Sequence, residues 1–242
     1  MNSKEVPLLA TRLICKSFGG VSALKNVDVE VRPAEVLGII GPNGSGKTSL
    51  VNVMSGHLQP DSGEVRFLGQ VTTGLKPHQL ASRGLTRTYQ AVRVFGSLTV
   101  DQCLDTAALM RSVSGRSSTD RREILEWLEL DHLKGHVSAG LTLFEQRRLE
   151  LAMRLMLEPK LMLLDEPVGG LSSKEVARMI VVLRQLRSRC GVLIIEHTMH
   201  VIRELADRVV VLIAGEKVAD GLPAAVLQDS RVVDEYLGAA HA

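Results

Sequence analysis

Aromatic residues are scarce in this chain: one Trp, two Tyr and four Phe among 242 residues. Few rings are therefore available on which nucleic-acid bases could stack. Excess charge is scarce too, a formal net of +2, so no broad basic face is implied and no nucleic-acid partner is expected. The three cysteines, Cys15, Cys103 and Cys190, are odd in number and far apart, which argues against a disulfide framework or a thiolate metal site. A reducing compartment is the simpler expectation. The most apolar runs, VLGII and RVVVLIAG, fall well short of the ~20 residues that a bilayer span needs. MNSKEVPLLATRLICKSF has no sustained apolar core ending in a small-residue cleavage site. These absences lead us to expect a cytoplasmic chain that would reach a membrane only through partner subunits.

What is present suits one large α/β domain, or a domain with a small inserted lobe. Short β-branched runs occur at VDVEV (27–31), VLGII (36–40), EVRFL (64–68), LMLL (161–164), VLIIE (192–196) and RVVVLI (208–213). VLGII, LMLL and VLIIE are nearly continuous in apolar residues, as strands buried on both faces of a parallel sheet are. Helical periodicity lies between such runs, as in Ser173 to Arg189, and this alternation argues for an α/β sheet. From about Ala91 to Pro159 no such strand appears. TVDQCLDTAALM, RREILEWLELDHL and a segment opening near Thr142 read as helices, with the Ser/Gly-rich loop RSVSGRSSTD between the first two. The expected organisation is one domain over 1–242, its core at about 1–90 and 160–242 and a helical lobe at about 91–159.

GPNGSGKTS, Gly41 to Ser49, fits the phosphate-loop pattern and directly follows VLGII, while SLVNVMSG supplies the helix behind it. Strand, loop and helix together aim backbone N–H groups and a helix dipole at phosphates. Gly41, Gly44 and Gly46 permit the tight path, and Pro42, Asn43 and Ser45 complete the loop. Lys47 can reach the β- and γ-phosphates of a nucleoside triphosphate, and Thr48, followed by Ser49, can ligate Mg²⁺. LMLLDEP ends a buried strand in Asp165, suited to Mg²⁺, beside Glu166, suited to polarising an attacking water. VLIIEH leads to His197 at the same sheet edge, where an imidazole could hold a terminal phosphate. Gln90, in TRTYQAVRVFGSLTV, is weak evidence by itself.

The order phosphate loop, Gln90, LTLFEQ, LMLLDEP, His197 resembles the nucleotide-binding subunits of ABC transporters over nearly the whole chain. More narrowly it is similar to the ATPase subunits of branched-chain amino acid importers and their urea or amide relatives. KSFGGVSALKNVDVEV, EQRRLELA, EPVGGL, IIEHTMHVI and GLPAAVLQDSRVVDEYLG carry that likeness. The resemblance implies a P-loop NTPase core with a mostly parallel sheet, an N-terminal antiparallel β part and an inserted helical subdomain. It implies ATP and Mg²⁺ as cofactors, Phe18 stacked on adenine, Glu166 as general base and His197 as switch histidine. Gln90 would link Mg²⁺ to the membrane-subunit contact, and AVRVFGSLTV would help receive a permease helix. Implied partners are a second ATPase chain paired head to tail, membrane permease subunits and, indirectly, an extracytoplasmic solute-binding protein. The implied location is peripheral, on the cytoplasmic face of the plasma (inner) membrane.

The family turn L-S-x-G-[QE]-Q reads Leu141-Thr142-Leu143-Phe144-Glu145-Gln146 here. In the head-to-tail dimer Thr142 and Glu145 would face the partner's nucleotide. A side chain at Phe144 is expected to crowd that approach, leaving one compromised site and favouring a different chain as partner. Ser172 and Thr198 also depart from the family pattern. Thr142 with Glu145 reads equally as a capping box, with Leu149, Ala152, Met153 and Met156 as the buried stripe of an ordinary helix. Two other functions fit the chain less well: an ATP-gated clamp with little turnover, and an ABC protein acting on nucleic acid.

Overall fold

The computed structural model describes residues 6–111 and 121–234, without the Arg111 side chain. The loop expected at RSVSGRSSTD and the end of the C-terminal segment DSRVVDEYLGAAHA lie outside the described residues. Strands β1 (Leu9–Phe18), β2 (Val21–Val31), β4 (Ser62–Phe67) and β5 (Gln70–Val71) form an antiparallel sheet in the order β2-β1-β4-β5. The second sheet runs β10-β9-β3-β8-β7-β6. Its members are β3 (Val36–Ile40), β6 (Leu85–Arg87), β7 (Leu161–Asp165), β8 (Gly191–Ile195), β9 (Arg208–Ile213) and β10 (Glu216–Gly221). All its pairings are parallel except the edge pairing of β10 with β9.

The apolar runs work as the period of a strand requires. Val36, Ile40, Met162, Leu164, Val192 and Ile194 face one core, while Leu37, Ile39, Leu161, Leu163, Leu193 and Ile195 face the other. The second core is closed by the antiparallel sheet and by α1 (Lys47–Met54) and α2 (Pro77–Ala81). The first is closed by α3 (Val100–Arg111), α4 (Arg121–Trp127), α5 (Leu143–Leu155), α6 (Ser173–Leu186) and α7 (Met199–Leu205). Between β6 and β7 the described regular elements are α3, α4, α5 and two 3-10 turns. Both faces of the sheet are thereby dry, and its functional groups gather at the strand ends.

Helix α5 begins as its sequence implies. Thr142 Oγ1 accepts from the Glu145 backbone N–H (3.3 Å), and the Glu145 carboxylate accepts from the Thr142 N–H (2.8 Å). Its inner face carries Leu149, Ala152 and Met153, with Met156 just beyond, and also Glu150. Burial pushes the Glu150 carboxyl up to about 7, against Arg154, Arg147 and the backbone N–H groups of Arg93 and Tyr89.

A folded-state value above the ordinary one means that the folded chain holds a proton which the unfolded chain has lost. Stability contributed here is therefore lost as pH rises from about 4.5 to about 7. Glu150→Gln is expected to melt with the parent near pH 4.5 and to be more stable by roughly 1–3 kcal/mol at pH 8. Thermal melts across that range check this, and a constant offset would contradict it.

Candidate nucleotide site

The phosphate loop is shaped by contacts that exclude side chains. Gly41 has φ +148°, and a Cβ there would lie 2.0 Å from the Leu212 carbonyl oxygen of β9. Gly46 has φ +102°, and its Cβ would lie 2.5 Å from the Ala23 carbonyl oxygen of β2. Only glycine fits both conformation and space at these positions. The loop is thus clamped between β2 and β9, with the Gly215 N–H also donating to the Ser45 carbonyl (3.1 Å).

Helix α1 starts at Lys47, whose ammonium donates to the carbonyl oxygens of Gly41 (2.7 Å) and Pro42 (2.8 Å). An ammonium has three N–H groups, so one is left for an anion. Burial lowers the Lys47 pKa, and the charges of Glu166 and Asp165 oppose that shift. Ser45 Oγ is buried without a hydrogen-bond partner, an orphan that an incoming phosphate oxygen would satisfy. Asn43, Gly44 and Thr48 are exposed, while Pro42 and Ser49 are half-buried. A free ammonium proton, an orphaned hydroxyl and a helix N-terminus fit a nucleotide's phosphates.

Opposite the loop, β7 delivers Asp165, and the chain turns at once. Glu166 has φ +48°, a conformation that costs a non-glycine residue about 1–2 kcal/mol. Its backbone N–H donates to the Ile195 carbonyl (3.0 Å), which pins the strained turn to β8. Both carboxylate oxygens are then engaged. Gln90 Nε2 donates to Oε2 (2.9 Å), and His197 Nδ1 lies 3.3 Å from Oε1. Three residues far apart in sequence thus converge, while Glu166's charge also reaches Lys47. Asp165 Oδ2 accepts from Arg87 Nη2 (2.8 Å), and Oδ1 has no hydrogen-bond partner among the described residues. Thr48, exposed, and Asp165 Oδ1 are the groups that could hold Mg²⁺ together with phosphate oxygens. The amide nitrogen of Gln90 is committed to Glu166, so only its oxygen remains for that role.

Phe18, Thr142 and Glu145 make no hydrogen bond or ion pair with this cluster among the described residues. Phe18 is exposed at the β1–β2 turn, with Lys16 Nζ 5.7 Å from its ring. Burial raises the Glu145 pKa, but hydrogen bonds from the Thr142 backbone and hydroxyl and the charges of Arg148 and His132 hold it below its ordinary value. The expectation for Phe144 needs correction. Its ring does not project from the turn. It is 4% exposed, with the Arg148 and Arg178 guanidinium carbons 4.3 and 4.9 Å from its centroid. Being an apolar side chain on the first turn of an amphipathic helix, it follows the buried stripe.

Sequence reasoning missed three buried ionic residues beside the site. Arg147, on α5, donates to the carbonyls of Gly169 (2.7 Å) and Gln90 (3.4 Å), tying that helix to the turn after Glu166 and to the Gln90 segment. Glu196 accepts from the Val168 N–H (3.2 Å), and burial raises its pKa. Arg87 anchors Asp165. The available signal was charge at inward-facing positions of a strand or helix pattern, in TRTYQ, EQRRLE and IIEH.

A strand-delivered glycine loop with a buried lysine, facing an aspartate-glutamate pair, defines a P-loop nucleotide hydrolase. The ABC transporter family matches residues 24–169, and the chain belongs to that family as an ABC-type ATPase. It is 35% identical to the high-affinity branched-chain amino acid transport ATP-binding protein BraF of Pseudomonas aeruginosa, over 97% of this chain and 99% of that one. Identity to the Escherichia coli protein of the same description, LivG, is 34% over the same shares. The lipopolysaccharide export system ATP-binding protein LptB of Haemophilus influenzae is 30% identical, over 96% of this chain and 97% of its own. Among solved structures, the ADP conformation of MJ1267, an ATP-binding cassette of an ABC transporter, superposes with a TM-score of 0.84. It is 30% identical, covering 96% of this chain and 99% of that chain.

Phe144→Gly removes a buried ring and the seat of two guanidinium groups. It is expected to destabilise the chain by roughly 3–5 kcal/mol and to lower Tm by on the order of 10 °C. Calorimetry of the two proteins checks this; an unchanged Tm would mean that the ring contributes nothing where it lies.

Proposed function

We propose that this chain is the ATP-hydrolysing subunit of a membrane importer for branched-chain amino acids or similar small solutes. The observation that carries the proposal is the double hold on Glu166, by Gln90 on one oxygen and His197 on the other, beside Lys47 and Asp165. Its likeness to BraF and LivG extends over nearly the whole chain, which supports the solute class. Urea and amides are the alternative solutes.

The chemistry follows from the groups present. Lys47, Ser45 and the first N–H groups of α1 bind and orient the phosphates. Mg²⁺ bound by Thr48 and Asp165 would neutralise charge on the outer phosphates. Glu166 accepts a proton from water as the water attacks the terminal phosphorus, whose bond to the bridging oxygen breaks so that ADP and phosphate leave. The hydrogen bond from Gln90, with His197 Nδ1 close to the other oxygen, fixes the direction in which that carboxylate points. Phe18 is assigned to the adenine ring, and AVRVFGSLTV with the exposed Phe95 to the surface facing a permease. The whole chain acts as one nucleotide-binding domain, with a helical lobe at about 91–159, peripheral to the cytoplasmic face of the membrane. An extracytoplasmic solute-binding protein would complete the system.

We further propose that it works as a head-to-tail dimer with a different ATPase chain. Phe144 occupies the position where the family turn has glycine, so a Cβ stands where the resemblance implies bare backbone facing a partner's nucleotide. The altered turn also supports the second reading, an ATP-gated clamp with little turnover.

Glu166→Gln is expected to keep ATP affinity and to lose turnover by on the order of 10²–10⁴. With Mg²⁺ and ATP it should remain monomeric by light scattering. A stable ATP-dependent homodimer would contradict pairing with a different chain. Equal turnover in the variant and the parent would leave the clamp as the better reading.

A further inference from the structure

Arg87 ends the short edge strand β6, three residues before Gln90, and its side chain is only 6% exposed. Its guanidinium is a fork with every tine fixed except Nε, which is buried without a partner. Nη2 donates to Asp165 Oδ2 (2.8 Å), while Nη1 donates to Asn52 Oδ1 (2.6 Å) and Ser55 Oγ (3.1 Å). Asn52 lies in α1, the helix that opens at Lys47, and Ser55 follows its last residue. The neighbouring Thr88 accepts the Asp165 backbone N–H (3.3 Å) and donates its own backbone N–H to Leu163 (2.9 Å). Residues 87 to 90 therefore meet residues 165 and 166 as two rungs: Arg87 on Asp165, and Gln90 on Glu166. Arg87 also lines a cavity of about 170 Å³ with His57, His78, Tyr89 and Arg154, none of which belongs to the phosphate loop.

A carboxylate at a strand end can swing about its side-chain torsions, and hydrogen-bonding one oxygen removes that freedom. Resting on the ATPase reading, we propose that Arg87 is a positioning residue: it fixes Asp165 through Oδ2 so that Oδ1 is the one acceptor presented to a divalent cation on the nucleotide. Through Asn52 the same guanidinium keeps that carboxylate in register with the helix behind the phosphate loop. Lysine cannot replace it, because one ammonium lacks the rigid fork that spans both partners. A merely structural Arg87 would support folding and nucleotide binding without distinguishing metal from no metal.

The test uses the full chain with Glu166→Gln as parent, a fluorescent ATP analogue in EDTA, and Mn²⁺ titrated into the analogue complex by electron paramagnetic resonance. Arg87→Met and Arg87→Lys are expected to bind the analogue in EDTA within threefold of the parent and to weaken Mn²⁺ binding tenfold or more. Asn52→Ala, which frees the guanidinium without touching Asp165, is expected to weaken Mn²⁺ binding by more than threefold. The proposal is overturned by Mn²⁺ affinity within threefold of the parent in Arg87→Lys and Asn52→Ala. A loss that is equal with and without metal overturns it as well. Those two variants carry the decision if Arg87→Met does not fold. A parent that binds no analogue at all would instead overturn the ATPase reading, and this inference with it.

Discussion

The β3–β8–β7 ladder is dry on both faces, and the rest of the molecule is arranged around that condition. Strands β3 and β8 and the body of β7 are apolar along their length, so their chemistry is displaced to where each strand stops. The phosphate loop follows Ile40, the acidic pair spans the end of β7, and His197 comes just after β8. Parallel pairing sets these three endings side by side, because Asp165 is in register with Ile195 and Ile39 with the same residue. The active constellation is therefore a consequence of register. A slip of one residue would turn each strand's apolar set to the wrong core and would separate the three endings.

How legible this was depended on burial. The both-face-buried strands were visible because continuous apolar runs have few other uses, and β3 and β9 begin and end where the runs do. Strand β1 was not visible: LATRLICKSF runs in apolar and polar blocks with no period of two, and it carries register shifts against both neighbours. Strand β6 is three residues long, with two polar side chains turned inward, and so has no apolar signature. The phosphate-loop and catalytic candidates could be placed on strand ends from sequence. Their ionic supports could not, since Arg87 and Arg147 earn their places through partners 78 and 22 residues away.

These supports have a common logic. Each buried arginine near the site holds a group beside the chemistry: Arg87 a carboxylate, Arg147 the Gly169 carbonyl after the strained Glu166 turn and the Gln90 carbonyl. Removing one partner of a buried pair strands the other, which costs about 3–5 kcal/mol, so such contacts persist or fail as units.

The seat of Phe144 has a different kind of consequence. Its ring lies against the guanidinium groups of Arg148 and Arg178, and both arginines converge on Glu129, which follows α4. Glycine at 144 would leave two cations facing an empty space beside an acid already shared between them. Return to glycine at 144 alone would therefore be felt first in the fold of this lobe and only afterwards at any surface a partner meets.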